Sequence, residues 1–242
     1  ISLGLVGSEM CIRDRARTLR LVPAPADIRK RLVVELKRPH PPETIGQFAE
    51  GEDWADAFVP AQDVLAWAKS VLIDPNGILG NEDHAHLQDA PLAFLWAASS
   101  FTKQGRTVLG QCEEVTFRCG AWQKGRQEQQ MIRWFGYLPR FLITLAADYC
   151  SQCSDAEFCA LVEHELYHIC QEHNQYGEPK FTEEGFPKLK LRGHDVEEFV
   201  GVVRRYGPSK DVQHLIDAAS RPPEVAKINI SRACGTCLLK SA

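Results

Sequence analysis

The sequence predicts an α+β fold in which a small β-sheet packs against one buried helix. Residues 154–174 repeat apolar side chains with the spacing of a core helix. Residues 107–117 and 140–146 are short β-prone runs bounded by Gly and Pro, which predict strands. Helical patterns on both sides of these segments complete a mixed architecture, with one sheet and flanking helices.

The flanking elements follow from the same kind of spacing. A helix is predicted at 60–72, because apolar residues recur there at helical intervals until Pro75 and Gly77. The other predicted elements are a helix at 82–101, a hairpin at 180–192 that turns at Glu184-Gly185, a helix at about 195–206 and a short helix near 211–219.

The core helix has a predicted start and a predicted end. Ser154 lies three residues before Glu157, which is the spacing of a capping box in which each side chain bonds the backbone of the other residue. Gly177 and Pro179 cannot continue a helix, so we expect it to end around Asn174.

This helix carries an HExxH pattern, formed by His164, Glu165 and His168. Residues four apart share one helix face, so the two imidazoles can bind one metal ion with the carboxylate beside them. Zinc then needs one more protein ligand and keeps its fourth position for a water that Glu165 can deprotonate. Because the flanking residues are apolar, these polar side chains indicate a function rather than a solvated surface.

The third zinc ligand remains open between a histidine and two glutamates. His194 lies between the predicted hairpin and the next helix, where its side chain can turn back toward the metal. Glu197 and Glu198 lie one turn further along, on a helix that can also supply a ligand. His173 is five residues beyond His168, about 500° around a helix, and so lies off the ligand face. We expect His194 to bind, with Glu198 or Glu197 as alternatives.

Composition and charge argue against several classes of partner. The 242 residues carry a net charge of −4, which gives no overall attraction for nucleic acid. No stretch approaches the roughly 18 consecutive apolar residues of a membrane-spanning helix. We therefore expect neither a nucleic-acid nor a membrane partner, and the oligomeric state remains open.

The nine cysteines predict free thiols. Their number is odd and no secretory signal precedes them, which is typical of a cytoplasmic protein. Cys150-x-x-Cys153 and Cys234-x-x-Cys237 could form a second, structural zinc site only if the chain folded back over about eighty residues. A second zinc therefore stays an open alternative to scattered thiols.

The chain resembles the putative phage metallopeptidases, a zincin-like group from bacteriophages and prophages. The similarity rests on ALVEHELYHI at 160–169 and GHDVEEFVGVVRRYG at 193–207, with EDHAHLQDAPLAFLW and GRTVLGQCEE upstream. The resemblance implies a zincin-like fold with the helix histidines as metal ligands and Glu165 as the base. It also implies the cytoplasm of a bacterial cell that is infected or carries the prophage.

We expect four segments along the chain. Residues 1–15 resemble translated sequencing-adapter read-through, so we expect an artefactual or disordered segment outside the fold. Residues 16–55 are a predicted N-terminal extension and linker, because they end in a stretch rich in Pro, Gly and charge. Residues 56–208 form the predicted zincin-like metallopeptidase domain, and residues 209–242 form a short helix and tail.

The sequence thus predicts a zinc-dependent metallopeptidase that hydrolyses protein or peptide substrates, with Glu165 as general base. Two alternatives remain. A SprT-like protease acting on DNA-bound proteins would share HExxH and a later histidine, and would add a four-cysteine zinc ribbon or a basic tail. A non-catalytic, zinc-stabilised phage protein that binds a host protein would keep the metal ligands without activity.

Overall fold

The computed structural model describes residues 36–225, apart from positions 49, 52, 104, 197–202 and 205. Its strands are β1 (Phe58–Pro60), β2 (Leu92–Ala97), β3 (Phe101–Lys103), β4 (Arg106–Val108), β5 (Gly110–Glu114), β6 (Phe141–Ala146), β7 (Ile169–Gln171) and β8 (Leu189–Leu191). Its α-helices are α1 (Gln62–Ala68), α2 (Ala121–Phe135), α3 (Ala147–Cys150), α4 (Asp155–Tyr167) and α5 (Lys210–Ala219). A π-helical turn at Lys69–Ile73 extends α1, and a 3₁₀ helix spans Glu82–Leu87. This mixture of helix and sheet agrees with the predicted α+β class.

A four-stranded mixed sheet, in the order β1-β2-β6-β5, forms the centre of the described structure. β2 and β6 are parallel and central, whereas β1 and β5 are antiparallel edge strands. The central strands are the apolar runs LAFLWA and FLITLA, as expected for parallel strands that are covered on both faces. β3 pairs with β4, and β7 pairs with β8, in two smaller sheets.

The two faces of the central sheet pack against different helices. Phe94 and Trp96 on β2 belong to the main core, which α4 completes from one side. Ala93 and Leu95 point to the other face, because side chains alternate along a strand, and pack there with Phe135 of α2. The residues that α4 contributes to the main core are Phe158, Cys159, Leu161, Val162 and Leu166.

α4 begins as the sequence predicts. The Ser154 hydroxyl accepts the Glu157 N–H at 3.3 Å, and the Glu157 carboxylate accepts the Ser154 N–H at 2.8 Å. The backbone N–H of Ser154 and then its hydroxyl lower the pKa of Glu157, because both donate to the ionised carboxylate. The predicted capping box is therefore confirmed.

The predicted end of this helix is wrong. α4 ends at Tyr167 with His168 as its C-cap, rather than near Asn174. The next three residues form β7 and pair with β8, some twenty residues further along the chain. The helical spacing of the sequence does not reveal such a distant partner. The backbone of β8 supplies the hydrogen bonds that the chain would otherwise make by continuing the helix.

The predicted hairpin at 180–192 is present, but its second arm has an additional partner. Gly185 adopts a φ of 85° at the turn and donates its N–H to Thr182. Phe181 pairs with Pro187 across the hairpin. The second arm then continues as β8 and pairs with β7, so the hairpin connects the end of α4 to the segment after residue 191.

The prediction of a single helix at 82–101 is also wrong. The structure has a 3₁₀ helix that ends at Leu87, followed by the buried strand β2 after Pro91. The spacing of a short, wholly apolar run does not distinguish a buried helix from a central strand. Proline interrupts the helix here, and the aromatic residues Phe94 and Trp96 suit a strand.

The remaining predicted elements mostly agree with the structure. The helix at 60–72 is confirmed by α1 and its π-helical extension. The strands at 107–117 and 140–146 correspond to β5 with part of β4 and to β6, and the helix near 211–219 corresponds to α5. The sequence prediction lacks α2, because residues 123–130 are all polar or glycine and most of the apolar side chains of the helix lie near its end.

Several predictions concern residues outside the described part of the chain. These are the segment 1–15 and the rest of the chain before residue 36, most of the helix at about 195–206, Cys234 with Cys237, and the tail after residue 225. The domain boundaries stay predictions. Within the described residues, no helix is both long and apolar enough to span a membrane.

A buried arginine anchors the first described residues to the start of α4. The Arg38 guanidinium donates to the carbonyl oxygens of Cys150 and Cys153 at 2.9 and 2.7 Å. It also donates to the Asp155 carboxylate at 2.7 Å and lies 5.1 Å from the centre of the Phe158 ring. One side chain therefore satisfies the carbonyl groups that precede the helix and a carboxylate in its first turn.

Replacing Arg38 by Met should lower the free energy of unfolding by about 3 kcal/mol, because two buried carbonyl oxygens lose the guanidinium donor and only that of Cys150 keeps another, the Cys153 thiol. Urea unfolding followed by circular dichroism measures the loss. The control Asp155→Asn removes the charge of the partly exposed partner but keeps an oxygen that can accept from the guanidinium, so it should cost less, about 1 kcal/mol. Equal losses for the two variants would mean that the ion pair, rather than the carbonyl contacts, holds the segment.

Candidate metal centre

Three histidines from two segments meet at the C-terminal end of α4. His164 and His168 lie one turn apart, so their side chains share a helix face. His194 comes from the segment that follows β8. The ligand nitrogens of the three side chains all lie within 4.8 Å of one another. Among the described residues, no other group of three His, Cys, Asp or Glu side chains is arranged in this way.

A reciprocal pair of hydrogen bonds between His168 and Arg192 brings the third histidine to the other two. The Arg192 N–H donates to the His168 carbonyl at 2.8 Å, and His168 Nδ1 lies 2.9 Å from the Arg192 carbonyl oxygen. A carbonyl oxygen only accepts, so Nδ1 carries the proton and Nε2 keeps its lone pair for a metal. His194 is two residues beyond Arg192, so the same contact also determines where His194 lies.

The distances between the imidazoles suit a tetrahedral ion. His164 Nε2 and His194 Nε2 are 3.2 Å apart. Zinc bonds of about 2.0–2.1 Å at the tetrahedral angle would separate two ligand nitrogens by about 3.4 Å. The ring centres are 5.1, 5.0 and 5.2 Å apart in the three pairs. The three histidines therefore fit a metal ion that keeps a further position open.

His164 is held in the neutral form that binds metals. Burial, followed by the neighbouring His168 and His194, lowers the pKa of His164 to about 4. Metal binding at neutral pH therefore displaces no proton from this ring. His164 is half-buried, His168 is buried and His194 is exposed, so the described part of the centre opens to solvent on the His194 side.

Glu165 is fully buried and lies against β5. Gly110 is the first residue of that strand, and a Cβ atom there would lie 2.8 Å from Glu165 Oε1 and 3.0 Å from Leu161 Cδ1. A side chain at this position would displace one of its two neighbours. The strand and the carboxylate can therefore lie this close because residue 110 is glycine.

The Tyr167 hydroxyl is occupied by hydrogen bonds to two residues at the start of the 3₁₀ helix. It donates to Asp83 Oδ2 at 3.0 Å and accepts from Asn81 Nδ2 at 2.8 Å. Burial is the main cause that raises the pKa of Tyr167, so the phenol stays protonated. Its ring contacts the buried His84 and lies 5.8 Å from the Arg192 guanidinium carbon. Tyr167 therefore shapes the site with its ring.

An open cavity of about 440 Å³ adjoins the three histidines. This volume lies in the range of ligand-binding pockets. Leu215 of α5 forms part of the wall, so a helix after residue 209 contributes to the site. The residues that line the cavity are His164, Tyr167, His168, Arg192, Gly193, His194, Asp195, Val196 and Leu215.

The other candidate ligands from the sequence do not join the three histidines among the described residues. Glu197 and Glu198, the alternative third ligands, lie outside the described residues. His173 is exposed on the loop after β7. One more histidine lies nearby: His84 of the 3₁₀ helix is fully buried, with its Nε2 3.7 Å from Glu163 Oε1. This contact with His84 is the main cause that lowers the pKa of Glu163, which precedes His164 in the chain.

Two residues that shape the centre are absent from the sequence prediction. Gly110 gives a usable signal, because glycine inside a strand marks a close approach of another group. Arg192 ends an alternating Lys-Leu-Lys-Leu-Arg run, which by itself indicates only a solvated strand face. Its contact with His168 depends on the register of β7 and β8, which the alternation does not specify.

Comparison with known proteins identifies the family. Residues 57–220 match the family model described as "putative phage metallopeptidase". The match covers most of the chain, and the chain belongs to this family, which confirms the resemblance found in its sequence. The family description implies a metal ion, and the three histidines form a group that could hold one. No curated protein and no solved structure matches the chain.

The purified protein should bind one divalent metal ion per chain, and His194→Ala should weaken that binding. We expect a loss larger than the roughly 10–100-fold typical of removing an outer hydrogen-bond partner, because a ligand itself is lost. Elemental analysis after dialysis against a weak chelator measures it. The control His173→Ala, on an exposed loop, should keep full occupancy. Full occupancy in His194→Ala would instead assign the third ligand to Glu197 or Glu198.

Proposed function

We propose that the chain is a zinc-dependent peptidase with a zincin-like fold, which hydrolyses peptide bonds in proteins or peptides. Three nitrogen ligands and an open position are typical of catalytic zinc, whereas structural zinc has four protein ligands. The mixed sheet, with the HExxH helix on one face and the edge strand β5 beside that helix, supports the zincin-like arrangement. The observation that carries the proposal is the group formed by His164, His168 and His194, with the buried Glu165 next to His164 in the chain.

Zinc, when bound, would polarise the scissile carbonyl and lower the pKa of the attacking water. The residues of the chain supply the proton transfers. Glu165 accepts a proton from the attacking water and then donates it to the leaving amine, first as a general base and then as a general acid. Its carboxylate is confined between α4 and Gly110, which limits the orientations that it can adopt. The Tyr167 hydroxyl already has two partners, so we assign it no proton transfer.

A non-catalytic, zinc-stabilised binding protein is the alternative from another functional class. Such a protein would use the same three histidines but would have no use for a general base. A carboxylate buried one residue from a metal ligand costs free energy through desolvation, which folding alone does not require at this position. Glu165 therefore distinguishes the two functions.

Replacing Glu165 by Gln should preserve the fold and the metal content and reduce hydrolysis by about 10²–10⁴-fold, because the general base is lost. The amide has nearly the same size as the carboxylate, so it fits beside Gly110. Cleavage of labelled casein and of a peptide library measures the activity, and His164→Ala serves as the metal-deficient control. Equal cleavage by wild type and Glu165→Gln would refute the mechanism. A metal-loaded wild type that cleaves nothing in the library would favour the binding protein.

Gly110→Ala tests the position of Glu165 without changing its chemistry. The added methyl group should displace the carboxylate, so we expect kcat/KM to fall about 10- to 100-fold while one metal ion per chain is retained. Gly125→Ala is a matched control on α2, where a Cβ atom meets nothing within 4 Å. Full activity in Gly110→Ala would mean that β5 does not position the base.

A further inference from the structure

α2 projects from the face of the sheet opposite the metal centre. Only its last residue, Phe135, is buried, and Met131 and Trp134 near the same end are partly buried against the sheet. Almost all the preceding residues of this 15-residue helix are exposed. α2 therefore presents a surface that neither the main core nor the metal centre uses.

One side of α2 carries a tryptophan, two arginines and a glutamine. At 100° per residue, these four side chains lie within about 60° of one another around the helix axis and extend over about 16 Å. All four are exposed, and the tryptophan is 90% exposed. We call this surface the arginine ridge, and its residues are Trp122, Arg126, Gln129 and Arg133.

The positive charge of the arginine ridge has no acidic counterpart nearby on the helix. The one carboxylate of α2, Glu128, lies about 130° away around the axis and pairs with Lys124 at 3.6 Å. Within the described part of the chain, Arg126 and Arg133 form no ion pair. The chain as a whole has a net charge of −4, and our expectation of no nucleic-acid partner rested on that overall charge. The ridge departs from it, because it is a local positive surface on an acidic protein.

We propose that the arginine ridge binds a single strand of nucleic acid. A guanidinium group donates paired hydrogen bonds to phosphate oxygens and can also stack on bases. An exposed tryptophan offers a flat surface for an unpaired base, and basic residues combined with such an aromatic are typical of single-strand binding. Gln129, between the arginines, adds an uncharged donor and acceptor for base edges.

The composition of the ridge favours nucleic acid over an acidic protein segment. Carboxylates could pair with Arg126 and Arg133, but they would leave Trp122 without a stacking partner. A duplex would also offer phosphates, yet its bases are already stacked on one another. An unpaired strand is the ligand that uses both the charge and the aromatic surface.

The ridge and the cavity of the metal centre lie on opposite sides of the central sheet. A strand bound to α2 therefore leaves the cavity open. Binding at the ridge does not depend on the proposed peptidase activity, and the two can be tested separately.

Fluorescence anisotropy with labelled oligo(dT) tests the proposal on the full chain. We expect salt-dependent binding that Arg126→Glu/Arg133→Glu weakens by at least about tenfold, because two phosphate contacts are lost. Trp122→Ala should weaken binding by about fivefold or more, through the loss of stacking. The control Arg106→Glu/Arg221→Glu makes the same change in net charge at exposed arginines outside α2, and should keep the affinity within about twofold.

The outcomes separate the possible explanations. Loss of affinity in the α2 double variant but not in the control double variant supports the proposal. Equal losses in both would show a general effect of charge and overturn it, as would no binding by wild type at about 50 mM salt. Displacement of the strand by polyglutamate at equal charge, together with unchanged binding by Trp122→Ala, would identify an acidic protein as the partner instead. Unchanged circular dichroism and metal content in every variant would show that the fold and the metal centre are intact.

Discussion

The reversal of the chain after His168 is the constraint on which the metal centre depends. A helix can place two ligands on one face, but the third must come from another segment. Because α4 ends at Tyr167, the next residues can pair with β8, and this pairing places Arg192 against His168. The resulting contact orients the ring of His168, one of the proposed ligands, and places His194 two residues further along the chain. A helix continued to residue 174 would leave the returning segment without a strand to pair with.

The sequence predicted the features that depend on local chemistry. The capping box at Ser154 and the HExxH spacing involve residues three or four apart, and β6 is recognisable from its own composition. The errors arose where distant pairing decides the structure. β2 is a strand because it lies between β1 and β6, and the end of α4 is fixed by β8. The spacing of residues in the sequence left three candidates for the third metal ligand. The path of the returning strand β8 is what brings one of them, His194, close to His164 and His168.

The central sheet accounts for the position of Glu165, the proposed base, as well as for the core. β5 is an edge strand whose first residue lies against α4, and the absence of a side chain at Gly110 leaves space for the Glu165 carboxylate. The adjacent strand β6 supplies the apolar surface on which α4 packs. The same strand pairing that buries the helix therefore also confines the Glu165 carboxylate. A change in the register of β5 by one residue would place a glutamine side chain where the glycine now lies.

The face of the central sheet opposite the metal centre is less constrained by packing, as the exposure of α2 shows. An isolated helix of this length is marginal in water, and Gly125 costs a further roughly 1 kcal/mol relative to alanine. With one buried residue at its end, α2 receives little stabilisation from packing along most of its length. Its outer residues therefore contribute little to the fold, and Trp122 exposes a large apolar surface that folding alone does not explain. Substitutions on this helix can therefore alter what the protein binds. They leave the metal centre intact, because the contact between His168 and Arg192 lies on the other side of the sheet.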